Sequence, residues 1–242
     1  MKTAVKEALD HVGLLGAGRT ARRALWSIKR GFGWTDRALI EKYLTPRPVR
    51  KLHLGCGLNK LPGWLNSDLF PSEADVLHLD ATTVFPLQSN TFDFIYTEHM
   101  IEHVPYPAGQ TMLAECYRVL KPGGTIRVST PDLNFVVELY RGETSDLQKA
   151  YIRWSTDRFV KWAPQASGSY VINNFVRDWG HQFIYDEKSL SLSLGSAGFS
   201  DIKRCSLNVS DHGELSGLEF ENRMPAGFLQ LETITMEATK PR

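Results

Sequence analysis

Alternating apolar and polar positions mark seven short stretches as strand candidates after residue 49. The first, Arg50–Leu54, runs into Gly55 and Gly57, which is typical of a strand followed by a tight turn. The other strand candidates are Trp64–Leu69, Val76–Leu79, Phe92–Tyr96, Thr125–Ser129, Ile202–Leu207 and Phe228–Thr239, with helices predicted at Ala108–Leu120 and Ser189–Ala197. Strands separated by turns or helices predict an α/β fold with a mostly parallel sheet.

The first fifty residues follow a different pattern, which is helical and basic. Apolar side chains recur at helical spacing over 3–15 and 36–44. The fifty residues hold eleven Lys or Arg against four Asp or Glu, a net charge of +7 in a chain whose total is +1. We therefore divide the chain into a basic helical extension, 1–49, and a mildly acidic domain, 50–242. The extension either packs on the domain or contacts a membrane surface or partner protein through residues 1–45.

An insertion over residues 134–180 interrupts the strand and helix pattern and is rich in aromatic side chains. It contains three of the six tryptophans, Trp154, Trp162 and Trp179. Aromatic side chains line many small-molecule pockets, so the insertion is interpreted as a cap over a substrate site. The alternative is a satellite helical core, and one segment can serve as both.

Composition excludes several classes of protein. A hydrophobic content of 42% and a charged content of 23% are those of a globular protein, not of a disordered or fibrous one. The three cysteines form no CxxC pair, which argues against a disulfide scaffold or a structural zinc site. With no apolar run of transmembrane length and no recognisable signal peptide, we expect a cytoplasmic protein. The acidic domain lacks the dominant basic face of duplex-binding proteins, so no nucleic-acid partner is predicted.

The turn at Gly55-Cys56-Gly57 is the sharpest candidate for a binding site. Glycine allows close approach of the backbone to a ligand and adopts torsions that other residues avoid. In open α/β sheets, ligands bind at the carboxyl ends of the strands, beside the point where the strand order reverses. Asp68 and Asp80 end the next two predicted strands. A carboxylate there can accept both ribose hydroxyls, so the pattern predicts a nucleoside site.

A dinucleotide such as NAD is the obvious alternative ligand. Its GxGxxG fingerprint needs a third glycine where this chain has Lys60. The glycine-rich stretch Gly13–Gly18 also resembles such a turn, but no predicted strand precedes it. Both dinucleotide readings are therefore rejected.

Several segments spread over residues 50–240 form a specific set. They are His53–Gly57, Leu61–Asp68, Phe92–Tyr96, Glu98–His103, Cys116–Gly124, His181 and Leu190–Phe199. The set resembles the class I S-adenosylmethionine-dependent methyltransferases, and in particular their small type-11-like branch. The resemblance implies a Rossmann-like, mostly parallel seven-stranded sheet with helices on both faces, and S-adenosylmethionine as the cofactor.

The resemblance also implies which residues bind the cofactor: Gly55, Cys56, Gly57, Asp68, Asp80, Ala81 and Glu98. The glycine turn would contact the methionine end, and Asp68 would hold the ribose. Asp80 and the Ala81 amide would bind the adenine edge, whereas Glu98 would face the cofactor's amino group or the substrate. Only ten residues separate Gly57 from Asp68, so the first crossover helix is expected to be short or missing.

Histidines supply the candidate proton acceptors. His99 and His103 have the i, i+4 spacing of an inverted zinc-protease motif, but the stretch begins where a strand should end and no third ligand is signalled downstream. We therefore expect no metal. Because imidazole titrates near neutral pH, His99 and His181 are the candidate general bases, with hydrogen-bonded structural roles as the alternative.

The methyl acceptor is constrained by what the chain lacks. The residues after the fourth predicted strand, Thr97–Met100, contain no Asn/Asp-Pro-Pro-Tyr, which disfavours methylation of exocyclic base amines. No Pro-Cys pair offers a nucleophile for C5 pyrimidine chemistry. The aromatic insertion favours a small-molecule or sugar-like acceptor methylated on oxygen or nitrogen. The alternative is a cofactor-binding fold without catalysis that docks through its basic arm.

Overall fold

The computed structural model describes residues 34–45, 47–141 and 145–242. The chain divides into two compact units, Met1–Arg47 and Pro48–Arg242. In the first unit, helix α1 (Trp34–Leu44) confirms the helix predicted at 36–44. The helical pattern over 3–15 lies outside the described residues.

A seven-stranded sheet forms the centre of the second unit, with the strand order β3-β2-β1-β4-β5-β7-β6. Its strands are β1 (Lys51–Leu54), β2 (Leu65–Asp68), β3 (Leu77–His78), β4 (Phe92–Glu98), β5 (Leu120–Pro131), β6 (Ser200–Cys205) and β7 (Thr233–Thr239). Strands β1 to β5 pair in parallel, whereas β7 is antiparallel to both β5 and β6. The predicted Rossmann-like, mostly parallel seven-stranded α/β fold is confirmed.

The strand order reverses at β1, which lies between β2 and β4. Leu52 and Leu54 of β1 are fully buried, as is expected of a central strand in a parallel sheet. The carboxyl ends of β1, β2 and β4 therefore meet at one edge of the sheet, and the switch in strand order opens a crevice there.

The helices of the second unit confirm two predicted helices and correct one predicted strand. They are α2 (Tyr106–Val119), α3 (Leu133–Glu138), α4 (Asp146–Phe159), α5 (Gly168–Arg177), α6 (Glu187–Ser196) and α7 (Phe228–Glu232). The helices predicted at Ala108–Leu120 and Ser189–Ala197 are confirmed as α2 and α6. The long final strand predicted at Phe228–Thr239 is wrong over its first five residues, which form α7. Gly227, at φ +81°, turns the chain into this helix, whose Phe228, Leu229 and Glu232 are buried together.

The connections between β1, β2, β3 and β4 contain no helix, although all their residues are described. The prediction of a short or missing first crossover helix is confirmed. Instead, the Asn66 side chain holds the loop: its Oδ1 accepts the Leu61 N–H at 2.9 Å and its amide donates to the Leu61 carbonyl at 3.0 Å. Trp64 then packs edge-on against the fully buried Tyr96. One amide side chain thus satisfies backbone groups that a helix would otherwise satisfy.

The aromatic insertion folds into α3, α4 and α5 and has its own core. Phe135, Tyr151, Phe175 and Phe228 are buried in one cluster and meet in T-shaped pairs. Ser145 begins α4 with a reciprocal capping box that includes Gln148. No helix in the described parts of the chain is long and apolar enough to cross a bilayer.

Candidate active site

A cavity of about 520 Å³ opens at the carboxyl ends of β1 and β4. We call it the strand-end cavity. Its lining residues are His53, Gly55, Cys56, Leu58, Asn59, Glu98, His99, Phe220 and Arg223. Of the seven residues predicted to bind a cofactor, this lining contains Gly55, Cys56 and Glu98.

The glycine turn shapes one wall of the strand-end cavity. Gly55 and Gly57 have φ values of +67° and +52°, in the left-handed region that favours glycine. A Cβ atom on Gly55 would lie 2.4 Å from Met100 Cγ, whereas one on Gly57 would meet nothing within 4 Å. Burial raises the pKa of the Cys56 thiol to about 11, so this side chain is neutral. The turn therefore presents backbone, not charge, to a ligand.

The two predicted acids stabilise turns beside the cavity and do not line it. Asp68 accepts the Gly57 N–H at 2.9 Å and the Phe70 N–H at 2.8 Å, which ties the glycine turn to the end of β2. Asp80 accepts both the backbone N–H and the hydroxyl of Thr82. Ala81 is half-buried in that same turn. Their roles in ribose and adenine binding stay predictions.

Glu98 and Arg223 give the strand-end cavity its charge. Glu98, the last residue of β4, accepts the Phe220 N–H at 3.1 Å and lies 3.7 Å from the Arg223 guanidinium. Burial raises the pKa of the Glu98 carboxyl. Nε and Nη2 of Arg223 are buried without a hydrogen-bond partner. Sequence analysis missed Arg223, because nothing in the local pattern of 221–225 indicates that it reaches this site.

A second cavity, of about 350 Å³, lies beneath the cap helices. We call it the cap cavity. Its aromatic lining comes from Tyr151, Trp154, Phe159, Phe175 and Trp179, and its polar lining includes His99, Glu102, His103, His181, Arg223 and Glu232. Two residues, His99 and Arg223, line both cavities. The two spaces therefore share a boundary formed by these side chains.

His99 is held firmly at that boundary. Its φ of +46° is unusual for a residue other than glycine, and its backbone N–H donates to the Ser129 carbonyl at 2.8 Å. Its ring Nε2 lies 2.9 Å from the Thr233 hydroxyl, and Nδ1 lies 3.5 Å from Glu102 Oε1. Burial lowers the pKa of His99 well below its usual value, so the ring is neutral.

His181 lies in the cap cavity and not at the boundary. Its Nδ1 is 2.7 Å from the Phe175 carbonyl, so this nitrogen carries the proton and Nε2 keeps its lone pair. Burial, and then the nearby His103, lower the pKa of His181 to about 4. The two predicted histidines thus both border the cap cavity. Both ring nitrogens of His99 lie near protein groups, whereas only Nδ1 of His181 does.

Two buried carboxyl groups of the cap cavity were not predicted. Burial raises the pKa of Glu102 to about 8 and that of Glu232 to about 7. Glu102 accepts the Thr130 hydroxyl at 3.0 Å, and Glu232 accepts the Tyr151 hydroxyl. Glu102 lies inside the Glu98–His103 segment, so the sequence contained a signal for it. Glu232 lies in the stretch misread as strand and carries no such signal.

Comparison with known proteins agrees with this geometry. Residues 58–128 match a family model described as a methyltransferase domain. The chain is 30% identical over 124 residues to a ubiquinone/menaquinone biosynthesis C-methyltransferase from a Ruegeria species, covering 51% of this chain and 45% of the relative. It is 38% identical over 58 residues to a ubiquinone biosynthesis O-methyltransferase from Nitrosococcus oceani, covering 24% of each. The chain thus spans less than half the length of these relatives.

Solved structures with a similar arrangement include two methyltransferases. One is an S-adenosylmethionine-dependent methyltransferase from Archaeoglobus fulgidus, with a TM-score of 0.48, 16% identity, and coverage of 90% of this chain and 94% of that one. The other is phosphoethanolamine N-methyltransferase 2 from Haemonchus contortus, with a TM-score of 0.44, 16% identity, and coverage of 87% and 53%.

The family match and the fold support each other, although they come from different observations. The match covers the segment from the residue after the glycine turn into β5, which holds three of the five consecutive parallel strands completely. The strand order of this sheet places the switch point, and with it the strand-end cavity, beside the glycine turn. Residues 58–128 thus match a methyltransferase domain, and the sheet that contains them has the Rossmann-like strand order.

Proposed function

We propose that the protein transfers a methyl group to an oxygen or nitrogen of a small-molecule acceptor held in the cap cavity. The observation that carries the proposal is the shared boundary of the two cavities at His99 and Arg223. A donor on one side of that boundary and an acceptor on the other would be adjacent. Methyl transfer is an in-line displacement, which needs this adjacency more than it needs particular side chains.

The strand-end cavity has the chemistry to hold S-adenosylmethionine. Its volume lies within the range of small-molecule sites, and the Gly57 turn leaves open space beside the backbone. The buried Glu98 carboxyl suits an ammonium group, and the unpartnered N–H groups of Arg223 suit a carboxylate. Asp68 has lone pairs left after accepting two backbone N–H groups, so it can also accept ribose hydroxyls. When bound, S-adenosylmethionine supplies an electrophilic methyl group on a sulfonium.

The cap cavity would position the acceptor, limit its contact with water and provide a proton acceptor. Aromatic walls exclude water from the acceptor, which favours reaction over solvation of the attacking atom. The Nε2 atom of His181 is the free ring nitrogen and takes the proton that an alcohol or amine loses. Such a base contributes roughly 10²–10⁴-fold in rate. His99 has both ring nitrogens near protein partners, so it borders the acceptor at the boundary and leaves His181 as the base.

Matched tryptophan variants test the acceptor site. Trp179 lines the cap cavity, whereas Trp162 belongs to the same cap but is 66% exposed and does not line it. Methyl label transferred from S-adenosylmethionine to a panel of small phenols, alcohols and amines would be measured with each protein. We expect Trp179→Ala to raise the KM of any acceptor by about tenfold or more, with Trp162→Ala unchanged and cofactor affinity equal in both. Equal KM values in the two variants would contradict an acceptor site beneath the cap.

A further inference from the structure

Three potential metal ligands meet in the cap cavity from separate parts of the chain. Glu102 and His103 lie in a short 3-10 turn (Ile101–His103) after β4, and His181 follows the cap helices. One ligand atom from each lies within 4.8 Å of the others, and His103 Nε2 is 3.8 Å from Glu102 Oε1. Ligands of a tetrahedral ion at about 2.0–2.2 Å lie roughly 3.4 Å apart, so shifts of about 1 Å would complete such a set.

His181 is oriented as a metal-binding histidine usually is. A ligating imidazole typically donates its other ring N–H to a carbonyl or carboxylate, which fixes the tautomer. The Nδ1–H of His181 donates to the Phe175 carbonyl at 2.7 Å, which leaves Nε2 as the ligand atom. The rings of His103 and His181 meet edge-on, with centroids 5.0 Å apart.

The Glu102 carboxyl supplies an independent sign of an absent partner. This side chain is fully buried, and Oε2 accepts the Thr130 hydroxyl at 3.0 Å. Its other oxygen, Oε1, has no hydrogen-bond partner. A buried polar atom without a partner is costly, and a cation bonded to Oε1 would remove that cost. Oε1 lies 3.8 Å from His103 Nε2 and 3.5 Å from His99 Nδ1, both beyond the length of a good hydrogen bond.

We propose that Glu102, His103 and His181 bind one divalent transition-metal ion, with Zn²⁺ as the first candidate. Two imidazoles and one carboxylate suit Zn²⁺ and its first-row neighbours better than the hard ions Mg²⁺ and Ca²⁺, which favour oxygen ligands. Three protein ligands leave at least one coordination position for another molecule, and all three residues line the cap cavity. The sequence reading expected no metal, because the pair His99 and His103 lacked a third ligand. In the fold, His99 Nε2 lies against Thr233 and its Nδ1 lies 3.5 Å from Glu102 Oε1, whereas His181 supplies the third potential ligand beside Glu102 and His103.

The open position gives the ion a chemical task, and this step rests on the proposed function. An acceptor hydroxyl bound there would lose its proton more easily, because a bound cation stabilises the oxyanion. His181 would then be a ligand, and the proton would pass to water or to Glu232. The site therefore favours acceptors with an oxygen beside the methylated atom or at it.

Metal binding is measured on the full chain, without a histidine tag, after dialysis against a chelator. Calorimetric titration with Zn²⁺ and the visible absorption of added Co²⁺ report binding with no cofactor or acceptor present. We expect one ion per chain. His103→Ala and His181→Ala should each weaken binding by more than the roughly 10–100-fold that loss of an outer partner costs. The matched control is His212→Ala, whose ring contacts Thr125 and Phe94 outside the cavity.

Glu102→Gln keeps the side-chain shape and separates loss of a ligand from loss of folding. It should weaken Zn²⁺ binding while leaving the circular dichroism spectrum and thermal unfolding in place. Absence of binding by the folded wild type would overturn the proposal, as would equal affinity in the His181→Ala and His212→Ala variants. Because these readouts need no methyl donor, failure of the metal site leaves methyl transfer standing, and failure of methyl transfer leaves the metal site standing.

Discussion

The strand-end cavity and the cap cavity differ in what builds them. Five of the nine residues that line the first lie between His53 and Asn59, around the glycine turn, and the others come from the end of β4 and the segment before α7. The second is formed by side chains from five separate segments, brought together by the cap, the 3-10 turn and α7. A cavity built from backbone at a topological switch point follows from the fold. A cavity built from distant side chains follows from their packing and is specific to this chain.

The segment before α7 joins the two regions, and a buried ion network anchors it. Arg127 of β5 is fully buried and pairs with Glu219 at 2.7 Å and with Glu237 at 2.6 Å. Glu219 immediately precedes Phe220, which lines the strand-end cavity. The network thus fixes the part of the chain that carries Arg223 to the boundary of the two cavities.

Breaking that network should have the largest effect. Glu219→Ala leaves the Arg127 charge buried with one partner fewer, which costs roughly 3–5 kcal/mol of unfolding free energy. Urea denaturation measures this value. Glu214→Ala is the control, since its pair with Lys51 is partly exposed and worth at most about 1 kcal/mol. Similar losses in the two variants would show that the network does not anchor the boundary.

A methyl group at the glycine turn should affect the strand-end cavity alone. Gly55→Ala places a Cβ atom 2.4 Å from Met100 Cγ at a φ of +67°, so the turn or the Met100 side chain must move. We expect S-adenosylmethionine to bind about a hundredfold more weakly, equivalent to roughly 2.7 kcal/mol, by calorimetric titration. Gly213→Ala, where a Cβ atom meets nothing within 4 Å, should bind normally. Unchanged affinity in folded Gly55→Ala protein would remove the turn from the cofactor site.

Loss of the Arg223 charge should weaken ligand binding in both cavities, by less than the change at Gly55 does. Nε and Nη2 make no hydrogen bond, although Nη2 lies 3.7 Å from Glu98, so both can donate to a carboxylate, and a hydrogen bond to a charged group is worth about 1.5–3 kcal/mol. Arg223→Gln is therefore expected to reduce cofactor affinity by at least about tenfold. Arg204→Gln, at an exposed pair with Glu187, serves as the control. A normal cofactor affinity in Arg223→Gln would contradict a role of Arg223 in cofactor binding.

The smallest predicted effect is a pH dependence of the unfolding free energy that comes from His53 of β1. Burial lowers its pKa to about 4, so in the folded state it binds fewer protons than the unfolded chain between pH 6.5 and pH 4. Stability from this group is complete above pH 6.5 and falls as the pH is lowered. At pH 5.5, one unit below the ordinary histidine pKa of 6.5, the loss of unfolding free energy is about 1.4 kcal/mol. Urea titrations of wild type and His53→Gln at pH 7.5 and 5.5 test this, and equal pH slopes would contradict it.

The sequence predicts the sheet and the glycine turn because both depend on local pattern. Leu52 and Leu54 alternate with polar residues, and Gly55 occupies a torsion that other residues avoid. It does not predict that Asn66 holds a loop in place of a helix, since a single amide carries no periodic signal. Nor does it predict Arg223, whose place at the boundary depends on the distant Arg127 network.

The most direct test of the two-cavity account is one calorimetric titration of S-adenosylmethionine into three proteins: wild type, Gly55→Ala and Trp179→Ala. The account predicts tight binding to wild type and to Trp179→Ala, and binding about a hundredfold weaker to Gly55→Ala. Strong binding to Gly55→Ala together with loss in Trp179→Ala would place the cofactor beneath the cap and contradict the account.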